Sequence, residues 1–187
     1  MVRAGLTPDV LVRAAAELAD EAGFEKVTVS ALARRFGVKD ASLYSHLRNL
    51  RDLRVRLALL ASGEMNEAIG AAVAGRSGKD ALVAFADAYR DYALAHPGRY
   101  AATQQRIELD EVADTAVFQR AVELTYGMLR GYRLAEPDLA DAGRLLRATF
   151  HGFIHLELSG GFAHSRPVAE SWARALDALH TTLENWS

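Results

Sequence analysis

Apolar residues recur along this chain at three- and four-residue intervals almost from end to end, and no convincing run of alternating β-branched residues interrupts them. The pattern predicts an all-α protein. Thr7 followed by Pro8 marks the first start, because the hydroxyl caps free amides and proline sits where its missing N–H costs nothing. Val10, Leu11, Ala14, Ala15, Leu18 and Ala22 then make one apolar stripe, and Gly23 can end the helix in a left-handed conformation. A second helix opens at Thr28, with Val27 and Leu32 in the spacing of a hydrophobic staple. Leu32, Ala33 and Phe36 supply its buried side, and Gly37 stops it after about two turns.

Beyond that bend Val38 acts as a plug, Asp40 stands where a cap belongs, and Leu43 with Leu47 give a third helix its core face. Ala41, Ser42 and Ser45 then point the other way, with Tyr44 on one edge and Lys39 and His46 on the other. Asn49 opens a long fourth helix running roughly to Gly75, with Asp52 placed as in a capping box. After the break at 75–80 the spacing predicts helices over 80–96, a short stretch near 99–106, 111–131, 138–159 and 167–185. Pro137 and Pro167 fit first-turn positions, and no internal repeat or low-complexity tract is evident.

Two short helices joined by a Gly-centred turn, the second buried through two leucines and otherwise thin and polar, describe a helix-turn-helix. Small outward residues let a backbone approach base edges in a major groove about 12 Å wide. An ordinary helical hairpin with a solvated Arg-rich face has the same pattern. Charge changes that picture: residues 1–60 carry +3 and residues 61–187 carry −5, although the whole chain of 187 residues is only −2. A basic front half suits a polyanion, and 19 of the 22 cations are Arg, the type that grips phosphate through two nitrogens. With no Cys, disulfides, thiolate metal sites and thiol catalysis are excluded, and the chain is compatible with a reducing cytoplasm. No apolar leader and no long uncharged apolar run is present, so a soluble, cytoplasmic protein without membrane contact is expected.

The run VTVSALARRFGVKDASLYSHLRNLRDL, residues 27–53, resembles the amino-terminal DNA-binding domain of TetR-family transcriptional regulators. Its signature stands here as Gly37-Val38 and Leu43-Tyr44-Ser45-His46-Leu47, in register with the preceding Thr-capped helix. The resemblance implies a helix-turn-helix domain over 1–48 and a helical effector-binding and dimerisation domain over 49–187. It also implies that Thr28 and Tyr44 contact phosphate, while Lys39, Asp40, Ala41, Ser42 and Ser45 face the groove. His46 either touches phosphate or braces its helix. The family often has Lys where this chain has Leu50, so Arg48 or Arg51 is the candidate substitute for that anchor. Asp40 is read in two ways, as a helix cap or as an acceptor from cytosine N4.

Further along, Trp172, Leu176, Leu179 and Leu183 follow the spacing of a helix-packing seam, and the preceding helix is apolar on more than one side, through Leu145 and Phe153 among others. In the resembled family the last two helices form a four-helix dimer interface, which makes these six residues its candidates; an intramolecular core is the alternative for each. A homodimer with heads about 34–36 Å apart would read a near-palindromic double-stranded operator. The stretch RATFHGFIHLELSGGF, 147–162, resembles a Phe/Trp-His-Gly motif of one branch of the family. Gly152 inside a helix costs about 1 kcal/mol against Ala and fits close approach of another backbone.

A small, mostly hydrophobic effector is implied by the resemblance, with Phe85, Tyr89, Tyr92, Tyr100, Gln104, Tyr126, Met128, His151 and His155 as candidate lining; aromatic stripes are also ordinary core. His151 and His155 share a helix face, but no Cys or well-spaced carboxylate completes a metal set, since Glu157 is turned about 200° from His155. No metal or cofactor is therefore expected. The chain has no Gly-rich phosphate loop, nucleophile elbow or triad spacing, which argues against an enzyme. A repressor released by its effector is the leading expectation, and a helical adaptor with weakened DNA binding the alternative.

Overall fold

A computed structural model describes residues 5–108 and 115–186. Among them the chain is helical without strands: α1 (Pro8–Ala22), α2 (Val29–Phe36), α3 (Asp40–Leu43), α4 (Leu50–Val73), α5 (Gly78–Ala95), α6 (Pro97–Thr103), α7 (Ala116–Leu129), α8 (Asp138–Leu158) and α9 (Val168–Glu184), with a 3-10 turn at Phe24–Lys26. The chain divides into two compact units. Residues 1–64 and 96–114 form the first, and residues 65–95 and 115–187 the second. The division therefore falls inside α4, after Glu64, and brings α6 into the first unit, whereas the sequence placed a boundary at 48/49.

In the first unit Leu11, Ala15, Val27, Leu32, Leu43, Leu53 and Leu57 are fully buried in one cluster, which Ala102 of α6 joins. The apolar stripe of α1 is wider than its spacing predicts: Val12, Ala16 and Ala19 are buried, while Ala22 is exposed. Small side chains on both flanks let two surfaces approach the helix. Gly98 marks the tightest approach, since a Cβ there would lie 1.9 Å from the Ala19 carbonyl oxygen. The predicted helix near 99–106 accordingly starts earlier, with Pro97 in its first turn and Gly98 against α1.

His96, at the N-cap position of α6, makes no side-chain cap. Asp20 of α1 caps it instead: its Oδ1 accepts the Arg99 N–H at 2.9 Å, and its Oδ2 lies 3.2 Å from His96 Nδ1. Arg99 Nε stands 3.1 Å from that same oxygen as an ion pair, its angle too poor for a hydrogen bond, and Arg99 Nη1 donates to Glu64 at 3.2 Å.

The second unit has an aromatic centre. Phe150 of α8 lies 6.3 Å from Phe85, 5.9 Å from Tyr89 and 5.6 Å from Trp172, ring centre to ring centre. Its polar groups are paired: Trp172 Nε1 donates to Asp87 at 2.8 Å, Arg90 Nε donates to Glu157 at 2.8 Å, and Asn66 Nδ2 donates to the Val117 carbonyl at 2.9 Å. The helix predicted over 111–131 is seen as α7; residues 111–114 lie outside the described residues.

Candidate nucleic-acid interface

Thr28 Oγ1 accepts the Ala31 N–H at 3.1 Å and starts α2, with Val27 and Leu32 both fully buried beside it. Eight helical residues later Gly37 adopts φ +65° and ψ +33°, the left-handed conformation a β-carbon disfavours, and the chain turns. Lys39 is then extended, α3 makes a single turn, and hydrogen bonds from the His46 and Leu47 N–H groups to the Leu43 carbonyl, at 2.9 and 3.0 Å, carry the chain on to Leu47. The third helix is thus shorter than predicted, one α-turn followed by tight turns. Leu43 and Leu47 are buried as the i, i+4 spacing requires.

Burying those two leucines leaves Lys39, Asp40, Ala41, Ser42, Tyr44, Ser45 and Arg48 exposed, with Tyr44 at 54% of its full accessibility; Thr28 and His46 are half-buried. The outer surface of α3 is a thin ridge of small and polar groups. Asp40 departs from the cap reading, because Lys39 holds the N-cap position and Asp40 is the first helical residue. Its carboxylate accepts the Ser30 hydroxyl, a bond that braces α2 against α3. Nothing periodic links positions 30 and 40, so no spacing pattern announces this bond.

The cations sort into two groups. Arg35 donates to Glu21 at 2.7 Å and to Glu17 at 2.8 Å, so it clamps α2 to α1; the Arg35 contact holds the Glu21 carboxyl below its ordinary range. Glu17 and Glu21 are one turn apart on α1, but lie 18 and 14 positions from Arg35, beyond any local spacing pattern. Arg54 lies over the Phe24 ring at 4.9 Å, and Arg56 donates to Asp52 at 3.0 Å. Those three are internal braces. Arg34, Lys39, Arg48 and Arg51 are exposed around the ridge. Leu50, at the position of the family's usual Lys, is half-buried against the first unit's core. A narrow polar ridge rimmed by cations has the shape and charge to enter a major groove while its rim meets phosphate.

The candidate effector residues separate between the units. Tyr100 and Gln104 lie in the first, Tyr100 buried and Gln104 beside Phe24 and Lys26 in an open cleft of about 420 Å³. Phe85, Tyr89, Tyr92 and Met128 are buried in the second unit, Tyr126 and His151 are half-buried there, and His155 is exposed. Burial, then His155 and Arg147, hold the His151 imidazole below its ordinary pKa. Among the described residues no group of three His, Asp, Glu or Cys is placed to hold a metal.

The candidate dimer residues also separate. Trp172, Leu176, Leu179 and Leu183 are buried within the single chain, so the intramolecular alternative holds for them. Phe153 lies half-buried, 5.0 Å from Trp172 and 4.8 Å from Phe162, and Leu145 is half-buried. The open side of α8 is a stripe of Ala148, Gly152, His155 and Ser159, edged by Leu156 at 43% exposure. A Cβ at Gly152 would meet nothing within 4 Å.

Two family profiles match the chain: one described as bacterial regulatory proteins, tetR family, over residues 11–57, and one described as tetracyclin repressor-like, C-terminal domain, over residues 82–179. The chain is 31% identical over 169 residues to the uncharacterized HTH-type transcriptional regulator YobS of Bacillus subtilis, covering 90% of this chain and 88% of that protein. It is 33% identical over 158 residues to the uncharacterized HTH-type regulator Rv0681 of Mycobacterium tuberculosis, covering 84% and 72%. A crystal structure of BioQ with its natural double-stranded DNA operator has the same fold, with a TM-score of 0.70 at 20% identity over 96% of this chain and 98% of that one.

Proposed function

The chain belongs to the TetR family of DNA-binding transcriptional regulators, and from that premise we propose that it is a homodimeric repressor, released from a near-palindromic operator by a small, mostly hydrophobic effector. The exposed ridge of α3, seated on Leu43 and Leu47, is the observation that carries this reading. Lys39, Ala41, Ser42 and Ser45 face the groove; Thr28, Tyr44, Arg48 and Arg51 take phosphate, the last two replacing the anchor that Leu50 cannot provide; and half-buried His46 braces the ridge. Asp40, tied to Ser30, positions α3 rather than reading a base.

The aromatic interior of the second unit around Phe85, Tyr89, Tyr92 and Met128 suits an apolar effector with few polar groups. Effector control needs only that the ligand bind the DNA-incompetent shape more tightly. The open stripe of α8, with the half-buried Leu145 beside it, is the surface for the second copy. Among the described residues no helix is long and apolar enough to cross a membrane, and the proposed place of action is the cytoplasm.

Selection of genomic fragments by the purified protein at low salt tests the reading. A recovered motif with two related half-sites one helical turn or a multiple apart is expected, and failure to retain any fragment overturns it. Unchanged DNA affinity after Tyr44→Phe and Arg48→Ala together would favour the adaptor reading instead.

A further inference from the structure

Between Arg147 and Ser159 the face of α8 proposed for the second copy holds cationic groups and no carboxylate. His155 is exposed in its middle, and the His151 ring stands one turn away with ring centres 6.0 Å apart. Burial, then the charges of His155 and Arg147, disfavour a proton on His151. The carboxylates of the surrounding elements are engaged elsewhere. On α8 itself Glu157 turns to the opposite side and accepts Arg90 of α5 at 2.8 Å, and Asp141 accepts Arg144 at 2.9 Å. On α9 Asp177 holds Lys79 at 2.8 Å, Glu170 holds Arg166 at 3.4 Å, and Glu184 lies 3.4 Å from His180. On α5 Asp87 accepts the Trp172 indole and Asp91 stands by Arg90, while on α7 Glu123 pairs with Arg120. Asp138 begins α8 about 25 Å along the helix from His155.

We propose that His155 makes the dimer sensitive to pH: two copies associate through this face while its imidazole is neutral, and protonation drives them apart. The inference rests on the homodimer reading and adds its regulation. Imidazole is the side chain whose charge ordinarily changes between pH 5 and 8. In the free chain the exposed ring keeps its cation in water. In the dimer it is enclosed, because the small flanks at Ala148 and Gly152 admit a second backbone closely, and two-fold symmetry supplies every charge twice. Enclosing a cation with no carboxylate beside it costs desolvation, and its symmetry mate adds repulsion. The free chain therefore takes up protons that the dimer refuses, so association weakens as pH falls. Acid becomes a second input, since an operator with two half-sites needs two joined heads.

The test is sedimentation equilibrium of the full chain without a histidine tag at about pH 8 and about pH 5.5, with circular dichroism at both. A dimer at the higher pH and an association constant weaker by about tenfold or more at the lower, with helix content unchanged, are expected. His155→Gln should remain dimeric at both, and His155→Arg, charged throughout, should be weak at both; the position is exposed, so both variants fold. Equal association at the two pH values, a difference that persists in His155→Gln or vanishes in His180→Gln, or one accompanied by lost helix overturns the switch and leaves the homodimer reading standing. A monomer at both pH values overturns the homodimer reading, and the switch with it.

Discussion

Arg35 and Arg48 show why cations of one sequence cluster have separate tasks. Arg35 is held by Glu17 and Glu21, whereas Arg48 projects from the ridge after α3. Arg35→Ala is expected to lower stability by up to about 1 kcal/mol, as for a partly exposed ion pair, and to leave the salt dependence of DNA binding unchanged. Arg48→Ala should leave stability alone and reduce the slope of log affinity against log salt by about 0.9 for each half-site, read by fluorescence anisotropy. The family signature made Leu43, Tyr44 and Leu47 legible. The division among arginines was not, because ion-pair partners such as Glu17 lie far along the chain.

Asp52 adds a pH dependence. Burial pushes its carboxyl up, but hydrogen bonds from the Arg48 N–H and the Arg56 side chain outweigh that and leave it below the ordinary carboxylate value. A depressed carboxyl contributes stability above its unfolded pKa, near 3.9, and loses it as pH falls through the lower folded value. Asp52→Asn should therefore flatten the acid side of the stability curve below about pH 5, measured by melts across pH.

At the scale of elements, the caps at Thr7 and Thr28 and the left-handed turn at Gly37 match the local pattern, whereas the Asp40 cap, a left-handed Gly23, first-turn places for Pro137 and Pro167 and the lengths of short helices do not. Thr7, Thr28 and Gly37 sit where their local chemistry demands, since a cap depends on a few neighbouring residues. The extents of α3 and α6 depend on packing. α6 starts at Pro97 because Gly98 lets it lie against α1, and no local pattern announces that approach. Two glycine substitutions separate backbone strain from crowding. Gly37→Ala meets no neighbour within 4 Å and should cost about 1–2 kcal/mol through its φ of +65° alone. Gly98→Ala collides with the Ala19 carbonyl and should cost about 2–3 kcal/mol, visible as a larger fall in melting temperature.

For the whole molecule, spacing told which faces are apolar but not what covers them. The Trp172–Leu183 seam has the periodicity of a subunit contact and is filled by its own chain. Gly152, read as a site of close approach, leaves room for a Cβ that would meet nothing within 4 Å among the described residues. Gly152→Ala should accordingly raise the stability of the isolated chain by up to about 1 kcal/mol through helix propensity, and weaken self-association measured by sedimentation if a second copy packs there.

The capping of α6 by Asp20 has a consequence for biosynthesis. A helix of seven residues is too short to persist unaided, and this one borrows its cap from a carboxylate 79 positions upstream. While the ribosome is still adding residues 65–95, the nascent head is an incomplete body with the Ala19 surface bare. Its last piece arrives only after the intervening segment has been made, so a fragment truncated at Glu64 should remain sensitive to proteases along α1 where the full chain resists them.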